Sequence, residues 1–114
     1  MKEINQDDYQ VRYDPGAAVV ICAGNFRLHG PEYDAILEIL NEAAGAGHQT
    51  LTLDLRELQF LNSSGINTLS KFVMRMRQQK GSQLVIRGSE QYPWQKKSLG
   101  NLQRLLPALH LELV

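Results

Sequence analysis

Apolar and polar residues alternate, then cluster, then alternate again along the chain. Tyr9, Val11 and Tyr13 are separated by Gln10 and Arg12, the period of a strand with one covered face. Asp14-Pro15-Gly16 is a turn signal, since proline presets φ and glycine admits positive φ. The run Ala17–Ala23 predicts a more buried strand, and the two pieces make a β-hairpin. Residues 24–30 read as a loop. Pro31-Glu32 then opens a helix, proline fitting its first turn and glutamate its positive end. Tyr33, Ile36, Leu37, Leu40 and Ala44 form its apolar stripe, and Gly45 and Gly47 stop it.

Leu51, Leu53 and Leu55 alternate with Thr52 and Asp54 in a third strand, entered from Thr50, and Glu57–Leu61 reads as a connection. A second helix follows Asn62-Ser63-Ser64-Gly65. Its buried face is Ile66, Leu69, Phe72, Val73 and Met76, its polar face Lys71, Arg75 and Gln78. Gln83–Arg87 is a short strand. Tyr92-Pro93-Trp94 leads into a third helix carrying Leu99, Leu102, Leu105 and Leu106, ended by Pro107, and Ala108–Val114 closes as a strand. The order ββαβαβαβ predicts an α/β fold: a mixed sheet of about five strands, a hairpin followed by mostly parallel strands, covered by amphipathic helices. Residues 1–8 are polar and expected to form a flexible N-terminus, leaving 9–114 as one domain.

Composition narrows the chemistry. Of 114 residues 43% are apolar, enough for one core and too many for a disordered chain. The formal net charge is zero, which argues against an overall grip on nucleic acid or membrane. That balance hides a split: residues 1–57 carry ten acidic and four basic side chains, residues 58–114 two acidic and eight basic. The apolar run Ala17–Ala23 is far below the roughly 20 residues a helix needs to span a bilayer, so no membrane insertion is expected. Residues 1–8 contain no apolar signal core, and the one cysteine, Cys22, suits a reducing compartment; a cytoplasmic protein is expected. His29, His48 and His110 are far apart, and no CxxC, HExxH or glycine-rich phosphate loop occurs, so no metal or other cofactor is expected. An enzyme would need Ser63 or Ser64 to meet a histidine in space.

The most informative stretch is residues 51–69: an apolar strand, a connection containing Phe60, the tetrad Asn62-Ser63-Ser64-Gly65, then a helix. It resembles the STAS domain family, to which bacterial anti-sigma factor antagonists belong. Ala23-Gly24-Asn25-Phe26-Arg27 matches a second segment of the family's pattern, and the element order agrees. The resemblance implies a non-enzymatic, partner-switching protein-binding module. Its partners would be a serine-protein kinase that doubles as anti-sigma factor, and a PP2C-type phosphatase of the kind often fused to a response regulator. It carries the phosphorylation site onto Ser63, with Ser64 as a secondary site, and the partner contacts onto Asn62, Ser63, Ser64, Gly65, Asn25 and Arg27. A scaffold without phosphorylation, or a small-ligand-binding domain, is the alternative. Two positions depart from the family: Asn62 and Arg27 each stand where relatives carry aspartate. Many relatives also continue into a final helix, which implies a more open sheet face or edge here.

Overall fold

A computed structural model describes residues 2–114. Six strands form one sheet in chain order: β1 (Lys2–Asn5), β2 (Tyr9–Asp14), β3 (Val19–Phe26), β4 (Thr50–Leu61), β5 (Gln83–Gly88) and β6 (His110–Leu113). β1, β2 and β3 pair antiparallel, and β3 through β6 pair parallel. The three helices are α1 (Asp34–Gly45), preceded by a 3-10 turn at Gly30–Tyr33, α2 (Ser63–Gln78) and α3 (Pro93–Leu105). The expected α/β order is therefore present, with one strand more than foreseen. Lys2–Asn5, expected to belong to a flexible N-terminus, pairs with β2, Ile4 opposite Val11.

The helices cover one face of the sheet. Val11, Tyr13, Val20, Cys22, Leu53, Leu55 and Ile86 alternate inward from the strands. Ile36 and Leu40 of α1, Phe72 and Val73 of α2, and Leu99 and Leu102 of α3 close over them in a single core. Burying each such side chain stabilises by roughly 1.5–3 kcal/mol, which together offsets the ordering of the backbone. The opposite face carries no helix. A row of register partners crosses it, Glu3, Arg12, Ile21, Asp54, Arg87 and Glu112. Charges alternate along most of that row, and the Arg87 Nε donates to Glu112 Oε1 at 3.0 Å.

β4 positions everything that follows. The segment Glu57–Leu61, expected as a connection, continues the strand to Leu61. Its register with β3 shifts between Ile21 and Ala23, so exposed Arg56 and Glu57 stand between buried Leu55 and Leu58. Pairing with β5 ends at Asp54–Arg87. Beyond it, side chains from the first turn of α3 take over. The Gln95 Nε2 donates to the carbonyls of Leu55 and Leu58 at 2.8 and 2.9 Å, and the Trp94 Nε1 donates to Gln59 O at 2.9 Å. Gln95 is fully buried, and its Oε1 accepts from the Ser89 amide at 2.8 Å, so its hydrogen-bonding groups are all engaged.

Candidate functional site

The tetrad lies where β4 ends and α2 begins, at the carboxyl end of a central parallel strand, the side on which open α/β sheets bind their ligands. Asn62 is the N-cap residue, with an extended backbone (φ −86°, ψ 178°). Its Oδ1 accepts from the Gly65 amide at 2.9 Å, supplying a partner for one of the free N–H groups of the first turn. The same oxygen accepts from the Tyr33 hydroxyl at 2.7 Å, and Nδ2 donates to Leu28 O at 2.7 Å. One amide side chain thus ties together α2, the turn before α1 and the loop after β3. Burial pushes the Tyr33 hydroxyl above its ordinary pKa, further from ionisation than a free tyrosine, which is already a proton donor at neutral pH. A carboxylate at this position could accept twice but could not donate to Leu28.

With capping assigned to Asn62, Ser63 is exposed at the first position of α2, and its hydroxyl has no hydrogen-bond partner among the described residues. Ser64 is half-buried and Gly65 buried. A β-carbon at Gly65 would collide with the Leu61 side chain and stand 2.8 Å from the Tyr33 hydroxyl, so any larger residue there would have to displace both side chains. Ser64 lines a groove of about 280 Å³ between α1 and α2, with Tyr33, Asp34, Leu37, Asn67 and Lys71 among its walls.

The segment after β3 lies alongside, Phe26 being the register partner of Leu61 and its carbonyl accepting from the Asn62 amide at 3.2 Å. Arg27 is exposed, its guanidinium 5.2 Å from the ring centroid of Phe60, itself 41% exposed; this cation–π pair was not foreseen from the sequence. Asn25 is turned toward Asp8, its amide donating to Asp8 O at 2.8 Å and its Nδ2 to Asp8 Oδ1 at 3.4 Å. The histidines do not join the tetrad. His48 is bonded to the Tyr13 hydroxyl at 2.6 Å and His110 to Glu112 at 3.2 Å, while the His29 amide donates to Glu32 Oε1 at 3.0 Å. Cys22 is buried, and burial, reinforced by the Asp54 charge, pushes its thiol up to about 12, so it is protonated at neutral pH. Among the described residues no cluster of three His, Cys, Asp or Glu side chains could hold a metal ion, and no helix is long and apolar enough to cross a membrane.

A mixed sheet roofed on one side, with an exposed serine following an asparagine cap at the carboxyl end of its central strand, defines a two-layer α/β domain of the STAS type. The STAS domain pattern matches residues 14–112, and the chain belongs to that family. No curated protein matches it. Among solved structures it is similar to a chain in the crystal structure of the diguanylate cyclase SiaD in complex with its activator SiaC from Pseudomonas aeruginosa, with a TM-score of 0.77, 14% identity and all of both chains covered. It is also similar to SiaC of Pseudomonas aeruginosa solved separately, with a TM-score of 0.72 and 15% identity over 98% of this chain and 97% of that one.

Proposed function

We propose that this protein is a regulatory protein-binding module that switches partners through phosphorylation of Ser63. The observation that carries the reading is the division of labour in the tetrad. Asn62 holds the helix end, which frees the Ser63 hydroxyl for a kinase. A phosphoryl group there adds about −1.5 to −2 charges at pH 7. The positive end of α2 tolerates that charge within the folded domain, whereas a partner surface fitted to a neutral hydroxyl would meet desolvation and repulsion. Ser64 is a less accessible second acceptor.

The fold supports a binding role through its likeness to SiaC, which is described as an activator in complex with a diguanylate cyclase. A signalling enzyme is therefore as fitting a partner as a kinase that is also an anti-sigma factor. A PP2C-type phosphatase would return the serine to its free state.

Incubation with the cognate kinase and ATP is expected to add about 80 Da to the intact protein; Ser63→Ala should remove most of the gain, and Ser63→Ala with Ser64→Ala all of it. Ser63→Asp should lose the partner that Ser63→Ala retains. No mass gain on the wild type, or equal binding by the two variants, would leave a constitutive scaffold instead.

A further inference from the structure

The charge split along the chain becomes a spatial one. α1 carries Asp34, Glu38 and Glu42 and no basic residue. α2 and α3 are the reverse: Lys71, Arg75 and Arg77 on one, Lys96, Lys97 and Arg104 on the other, with no acidic residue on either. All six cations are exposed. The ion pairs among the described residues lie elsewhere, at Lys2–Glu42, Asp54–Arg56, Arg87–Glu112 and His110–Glu112, so none of the six is ion-paired in the fold, though Lys71 shares a groove with an α1 carboxylate, that of Asp34. α2 and α3 pack side by side, and the Arg77 Nη1 donates to Leu105 O at 3.5 Å across the seam.

The outer face of α2 also has an apolar centre. Met74 is 38% exposed, one of few large hydrophobic side chains so exposed. Lys71 and Arg77 stand one turn before and after it. At a helical period of about 3.6 residues, Ser63, Asn67 and Met74 fall on one outward stripe.

We propose that this face of α2 and α3 is the docking surface for an acidic protein segment that presents an apolar contact to Met74. The inference rests on the partner-binding reading above and adds the chemistry of the partner. Charge complementarity selects an acidic occupant. The apolar centre and the acidic flank select a protein surface over a long polyanion: a nucleic acid or an anionic bilayer laid on this layer would run onto Asp34, Glu38 and Glu42. The position of Ser63 gives regulation without a new element. Lys71 lies eight residues along the same helix, about 12 Å by rise, close to the roughly 10 Å over which an added charge acts at 0.1 M salt.

The test uses the full unmodified chain with no kinase present. A fluorescent synthetic helix with glutamates around one leucine stripe is the probe. An equally charged peptide without leucine, a DNA duplex and phosphatidylserine vesicles are the comparisons. The leucine-bearing peptide is expected to bind more tightly than all three, and more weakly as salt rises. Lys71→Glu combined with Arg77→Glu should weaken it by at least about tenfold, and Met74→Glu by several-fold, with thermal melts unchanged. No binding of the peptide, no loss on charge reversal, or tighter binding of DNA or vesicles would overturn the proposal. Because Ser63 is intact throughout, failure here leaves the kinase experiment standing, and a missing mass gain there leaves this binding measurement standing.

Discussion

At the scale of the residue, Asn62 shows how one amide can decide a local structure. It serves three partners at 2.7–2.9 Å, and only an amide offers the needed donor and acceptor together. Asn62→Asp is expected to destabilise the domain by about 1–3 kcal/mol, because a carboxylate would face the Leu28 carbonyl with no proton to share. Chemical denaturation of the two proteins measures the difference; an unchanged midpoint would contradict the assignment. The tetrad's capping role was legible in the sequence, since Asn and Ser before an apolar helical stripe are cap signals. The Tyr33 and Leu28 partners were not, because they come from residues about 30 positions away that only the fold brings near.

At the scale of the element, the helices were the most readable part, since their apolar stripes repeat over several turns. Ile36, Leu40, Leu69, Phe72, Val73, Met76, Leu99 and Leu102 all face the core as expected, while Leu37 is only half-buried and Ile39 takes its place. β4 was readable only to Leu55. The step from Leu55 to Leu58 breaks the period of two, because the register shift against β3 inserts a residue, so the strand looked like a connection. β1 was missed because four residues with one apolar side chain carry no pattern. Gln95 could not be singled out either: a lone glutamine on a helix normally faces water, yet this one stands in for the missing β5 partner of β4. Gln95→Ala is expected to cost about 3 kcal/mol, since it leaves the Leu55 and Leu58 carbonyls and the Ser89 amide without their partner. Loss of amide-exchange protection at Ser89 would locate the damage; an exchange pattern equal to wild type would contradict this role.

At the scale of the whole molecule, the two faces of the sheet answer to different forces. The helix-covered face is held by apolar burial, while the open face carries a row of charged register partners around Ile21. Asp54 stands in the middle of the open face. Burial raises the cost of its charge, but hydrogen bonds and attraction from Arg56, at 2.7–3.2 Å, outweigh it and hold the carboxyl below the usual aspartate range. A carboxyl with a folded pKa below its unfolded one stabilises the fold above the unfolded value, and that contribution disappears as pH falls through the folded value. Asp54→Asn should therefore be less stable than wild type at pH 7, with the gap closing under acid. Urea midpoints measured for both proteins across that range give the comparison, and a gap independent of pH would contradict it. The polarity between α1 and the pair α2 and α3 belongs to this scale as well. The imbalance between the chain's halves was visible in the sequence, but its concentration on adjoining helices needed the topology.

The bracing around Asn62 has a consequence for how a signal could leave this site. Three stretches of backbone are fastened at one side chain, and a glycine sits where helix and strand approach behind it, an arrangement that opposes a hinge movement at this point. Under the proposed function, a phosphoryl group on the neighbouring hydroxyl would act through its electrostatic potential, on a molecule already close enough to feel it.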